Sequence, residues 1–107
     1  MECVQVHFTI GDPDGADRIV SELLADRLIA CGQRVGPVMS RYSWHGAVES
    51  SEEWIVLLKT TAARADLVVD AIVAAHPYEE PEVLVTPIVG GSHSYLEWIA
   101  LQVGTAP

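Results

Sequence analysis

Between Cys3 and Ile10 apolar and polar positions alternate, with Val4, Val6, Phe8 and Ile10 on one side and Gln5, His7 and Thr9 on the other. A period of two predicts a half-buried strand. Gly11-Asp12-Pro13-Asp14-Gly15 follows as a turn in which Asp12 or Asp14 can cap a helix. From Ala16 to about Ala30, Ile19, Val20, Leu23, Leu24 and Leu28 recur at helical spacing, and Gly32 is expected to end the helix. Gly36-Pro37 opens an extended region in which Tyr42, Trp44 and Val48 alternate, with room for a bulge at Gly46. The polar run Glu49-Ser50-Ser51-Glu52-Glu53 predicts a reversal, and Trp54-Ile55-Val56-Leu57-Leu58 is apolar on both faces, as in a central strand covered on both sides.

Thr60 or Thr61 is expected to cap a second helix with the stripe Ala65, Val68, Val69, Ile72 and Val73, ending at His76-Pro77. Glu82 to Val89 predicts a strand whose Pro87 marks an edge or a bulge. After Gly90-Gly91-Ser92, Leu96, Ile99 and Val103 space a short helix from Tyr95 to Val103. The order strand, helix, strand, strand, helix, strand, helix predicts one domain over residues 1–107. Its class is α+β: a ferredoxin-like βαββαβ sandwich with a short C-terminal helix, both main helices lying on one face of an antiparallel sheet. Tyr42, Trp44 and Trp54 are left to cover the other face or to reach a neighbouring subunit.

Composition narrows the function classes. The net charge of -9, with only six Lys and Arg, opposes nucleic acid and anionic membranes as partners. No apolar run approaches membrane-spanning length, and Met1-Glu2-Cys3 does not resemble a secretory signal. Cys3 and Cys31 form no CxxC pair, which fits reduced thiols and a cytoplasmic protein. Gly11 and Gly15 lack the spacing of a phosphate-binding loop.

The densest polar chemistry is His76-Pro77-Tyr78-Glu79-Glu80-Pro81-Glu82, a helix-to-strand connection expected to be displayed rather than buried. His76 with Glu79 could serve acid-base chemistry, but no nucleophile elbow or cysteine-base pair accompanies them, so a non-catalytic role is favoured. The four histidines show no local metal spacing. A site for copper or another divalent cation would need His76 to converge with Cys31, His93 or a carboxylate.

Ala30-Cys31 leading into Gly36-Pro37, Tyr42-Ser43-Trp44-His45-Gly46, Leu58-Lys59-Thr60, His76-Pro77-Tyr78-Glu79 and Tyr95-Leu96-Glu97-Trp98 together resemble the CutA family of divalent cation tolerance proteins. The resemblance runs from about Val4 to Val103. It implies a homotrimer whose long hairpins reach neighbouring subunits, and a role in tolerance of or response to metal ions, copper among them. It also implies an inter-subunit cleft lined by Trp44, Lys59, His76, Tyr78, Glu79, Tyr95 and Trp98. Copper binding in the family is linked to a thiol late in the first strand and a histidine pair before Pro-Tyr. Phe8 stands at about the thiol position here, and Ala75 replaces the first histidine. The fold is similar to that of P-II signalling proteins, so a signalling or scaffold trimer that binds protein partners and no metal is the alternative.

Overall fold

The alternating stretch at the start of the chain forms the inner strand around which the rest assembles. The computed structural model describes residues 2–104. In chain order its elements are β1 (Cys3–Ile10), α1 (Pro13–Ala25), β2 (Cys31–Trp44), β3 (Ala47–Thr61), a 3-10 turn (Ala62–Arg64), α2 (Ala65–Ala75), β4 (Val83–Pro87) and α3 (His93–Gln102). The sheet is antiparallel in the order β2-β3-β1-β4, so the fold is the expected α+β sandwich.

Register explains where the core sits. Val6 lies opposite Leu58 and Val85, and Phe8 opposite Val56 and Val83, so these side chains share one face. Val6, Phe8, Val56 and Leu58 are fully buried there against Ile19 and Leu23 of α1 and Val68 and Ile72 of α2. The opposite face carries Gln5, His7, Ile55, Leu57 and Lys59, and α3 covers only its Cys3 end. There Cys3, Ala30, Ile99 and Val103 make a second, smaller cluster.

Several boundaries differ from the sequence reading. Asp12 is the cap of α1, its Oδ1 accepting from the Asp14 N–H at 3.1 Å. That helix stops at Ala25, well before Gly32, because Arg27 turns into the left-handed region at φ 57°. The Leu28 N–H then donates to Leu23 O and the Arg27 N–H to Leu24 O, both at 3.0 Å, which closes the helix end. Leu28 and Ile29 therefore reach the core from the irregular connection between α1 and β2. Gly32 serves packing instead, since an added Cβ would lie 2.6 Å from Val20 Cγ1.

The hairpin reverses at His45-Gly46, both at positive φ, and residues 49–53 are strand. The bulge lies between Val35 and Val38, at the cis Gly36-Pro37 bond, and not at Gly46. β1 pairs with β3 only from Trp54 onward, so residues 38–53 form a two-stranded ribbon projecting beyond the sheet. This projection gives the chain its long dimension of 44 Å against 25 and 21 Å. Tyr42 and Trp44 share the face of Leu57, whereas Trp54, opposite Ile10, lies on the helix side. Neither threonine caps α2 by its side chain; Thr60 Oγ1 donates to Leu28 O at 2.6 Å.

Candidate functional site

Pro77 follows α2 and cannot continue it, so the chain leaves the helix extended at His76 (φ -79°, ψ 138°). His76 was expected on a displayed loop, but it is only 8% exposed. Its Nε2 lies 2.7 Å from Thr9 O, which can only accept, so Nε2 carries the proton. Its Nδ1 accepts the Tyr78 N–H at 3.1 Å. Phe8 and Tyr78 pack edge-on around the ring, at centroid distances of 6.0 and 4.6 Å.

This seating aims Tyr78 back over the end of β1. The Tyr78 hydroxyl donates to Glu53 Oε2 at 2.9 Å. Glu53 is 6% exposed although it stands on the ribbon's base. Gly11 makes room for the contact, because an added Cβ would sit 2.9 Å from Tyr78 Oη. Burial of the hydroxyl end, then the hydrogen bond to Glu53 and its charge, push the Tyr78 phenol up to about 12. Tyr78 as a whole is 38% exposed, so its contact with Glu53 is only partly shielded from solvent.

Along the ribbon runs an open groove of about 740 Å³. Trp44 and Tyr42 wall its outer part, Glu53 and Tyr78 its inner end, and Glu79, Glu80 and Glu82 its margin. Ser51, whose side chain also lines it, has a buried Oγ with no hydrogen-bond partner among the described residues.

The seven expected cleft residues fall into two groups within one chain. Trp44, Tyr78 and Glu79 line this groove, with His76 behind Tyr78. Lys59, Tyr95 and Trp98 belong to the other end of the sheet. Cys31 and Lys59 are Cα partners in the row of Gln5, four residues and about 13 Å along β1 from Thr9. Lys59 Nζ donates to Gln33 Oε1 at 2.8 Å, and Tyr95 stacks on Trp98 at 5.5 Å. The Tyr95 phenol is pushed up by burial and by the neighbouring Cys31. Glu53 and Ser51 escaped the sequence reading because their polar run looked like a turn; the alternation of Ser51, Glu53, Ile55 and Leu57 was the available signal.

The proposed metal donors do not converge. Both ring nitrogens of His76 are engaged, Cys31 lies one group away beside Tyr95, and His93 pairs with Glu97 at 2.7 Å on the surface. Among the described residues no three His, Cys, Asp or Glu side chains are placed to hold an ion. One chain alone therefore does not fit a copper centre.

A family model described as CutA1 divalent ion tolerance protein matches residues 4–102. The chain belongs to the CutA1 family. Among its relatives, the divalent-cation tolerance protein CutA of Salmonella newport (strain SL254) is 35% identical over 98 residues, 92% of this chain and 85% of the relative. The solved structure of the divalent cation tolerance protein (Cut A1) from Thermus thermophilus is 35% identical, with a TM-score of 0.91 over 97% of this chain and all of the other. The periplasmic divalent cation tolerance protein CutA from Archaeoglobus fulgidus is 29% identical, with a TM-score of 0.92 over 95% and 99% of the two chains. CutA1 membership thus accounts for the sheet order and the long hairpin. No helix among the described residues of this CutA1 chain is long and apolar enough to cross a membrane.

Proposed function

We propose that this CutA1 chain acts in divalent-cation tolerance as a homotrimer that binds a small cationic ligand rather than catalysing a reaction. The observation that carries the trimer is the ribbon of residues 38–53. Two-stranded ribbons are marginal in water unless something packs on them. This one exposes Met39 at 64% and Val48 at 77%, and the adjoining sheet face leaves Val35 and Leu84 about half exposed. A second and third copy seated on these surfaces would supply the missing layer. A copper ion bound by the assembly would draw donors from more than one subunit, because one chain does not gather them. Placement in the cytoplasm is part of the reading and is favoured by the free thiols Cys3 and Cys31.

Native mass spectrometry of metal-stripped protein, titrated with copper(I) under reducing conditions, tests both halves. The expected spectrum is a trimer. A monomer overturns the architecture, and a trimer that takes up no ion or small molecule favours the scaffold reading. His76→Ala is expected to lower stability by about 2–4 kcal/mol, since it empties a buried site and orphans the Tyr78 N–H, while leaving any copper stoichiometry unchanged.

A further inference from the structure

The terminal helix α3 lies apart from the main core and against both thiols of the chain. Cys3 is buried beneath it, and its Sγ–H donates to Leu96 O at 3.7 Å. Cys31 stands on the same sheet face, two residues along β1 and two strands across, and the Tyr95 hydroxyl hydrogen-bonds to it. Neighbouring residues in the first turn of one helix therefore touch the two sulfurs. The same helix is hinged at one end and latched at the other. The Ile88 N–H donates to Cys3 O at 3.1 Å, which ties the chain to β1 up to that residue. Beyond it, a Cβ added at Gly90 would meet nothing within 4 Å, and one at Gly91 only Leu96 Cδ2 at 3.9 Å. No side chain caps the helix at Ser92. At the far end the Arg27 guanidinium holds Leu101 O and Gln102 O, its carbonyl accepts the Gly104 N–H at 3.0 Å, and Arg64 Nε donates to Gly104 O at 2.6 Å. Between hinge and latch only the small cluster of Cys3, Ala30, Ile99 and Val103 is fully buried.

We propose that α3 is a redox-sensitive strap: seated, it shields the Cys3 thiol, and a mixed disulfide formed on Cys3 keeps it open. When α3 lifts about Gly90-Gly91, Cys3 loses its cover and its bond to Leu96 O together. The freed thiol gives its proton to water, and the thiolate attacks one sulfur of a small disulfide. A new S–S bond forms at Cys3 Sγ, the S–S bond of the small molecule breaks, and its second sulfur leaves as a thiolate. The small disulfide is the oxidant, and no other co-reactant enters. Reseating is then blocked by size. Cys3 lies in a close-packed cluster with no space for a second sulfur and its substituent, so the helix cannot return to its place. Tyr95 and Trp98 leave with it, which strips the stacked pair from beside Cys31. An excess of small thiol reverses the exchange and lets the strap close. The device works within one chain and rests on neither the trimer nor a bound ligand.

Reaction of the full chain with oxidised glutathione, the two cysteines resolved by peptide mass spectrometry, tests the strap. Cys3 is expected to react at a rate that hardly changes across urea concentrations below the unfolding transition, because a local opening exposes little surface. Arg27→Ala should speed that reaction about fivefold to tenfold, since two hydrogen bonds of the latch are lost. Arg34→Ala, which removes an exposed ion pair with Asp17 of α1, should leave it unchanged. Hydrogen exchange on the glutathionylated native sequence gives a second readout, valid even if Arg27→Ala fails to fold. There the α3 amides should lose protection while those of β1 and β3 keep it, and excess reduced glutathione should restore them. A Cys3 rate that climbs with urea as steeply as global unfolding, equal acceleration by Arg34→Ala, or a modified protein whose α3 stays protected would each overturn the proposal.

Discussion

Tyr78 is where one side chain joins the helix end, the sheet and the groove. Its hydroxyl gives up water for a bond to Glu53, and its phenol is raised from 10 to about 12 as a consequence. The folded state thus holds this proton more tightly than the unfolded chain does. Its contribution to stability is complete below pH 10 and is lost as pH rises through the folded value near 12. Thermal melts taken across that alkaline range should show a falling midpoint, and Tyr78→Phe should flatten the part of the fall that exceeds the other tyrosines. An unaltered slope in the variant would mean that the Glu53 contact does not hold the proton. Nothing in the linear order of residues announced this bond, because Glu53 and Tyr78 are separated by β3, α2 and the Pro77 corner.

Among the elements, β1 and α2 were legible because each obeys a single rule. Val4, Val6, Phe8 and Ile10 alternate without interruption, and Pro77 keeps α2 from running past Ala75. The end of α1 was not legible, since Leu28 continues the apolar stripe although the backbone has already turned at Arg27. There the left-handed residue and the pull of Ile29 into the core override the periodicity. The ribbon misled for a related reason: a strand pair with solvent on most sides carries polar residues such as Glu49 and Ser50, so it resembles a loop. Of the residues along the groove, Trp44, Tyr78 and Glu79 were among those the family resemblance singled out for a cleft, whereas Tyr42 and the buried carboxylate of Glu53 were not. Thr60 shows how the elements are tied, its hydroxyl reaching from the end of β3 to Leu28 O at 2.6 Å. Thr60→Val keeps the shape and removes the donor, and should cost about 1–2 kcal/mol in urea unfolding without changing the slope. A loss near zero would show that water replaces the bond.

At the scale of the whole molecule, the two sheet faces are treated unequally. One is sealed by α1 and α2; the other has α3 over one end and half-buried Ile55 and Leu57 at its centre. Leu57→Glu places a charge in that face where a lone chain can still hydrate it. If a neighbour covers the face, the charge is buried without a partner, and sedimentation should report single chains in place of trimers. Intact trimers in the variant would move the interface elsewhere. The same inequality bears on the order in which the molecule comes apart. α3 rests on its own small cluster, outside the main core, and is latched by the Arg27 guanidinium, whose Nε and Nη2 donate to Gln102 O and Leu101 O at 3.3 Å. A helix held by so few buried groups opens before the strands beneath it. Its amides should therefore take up deuterium sooner than those of β1 and β3, and Arg27→Ala should widen the interval. A protease would find its first cut in the segment between Pro87 and Ser92, releasing the terminal helix while the sandwich is still folded.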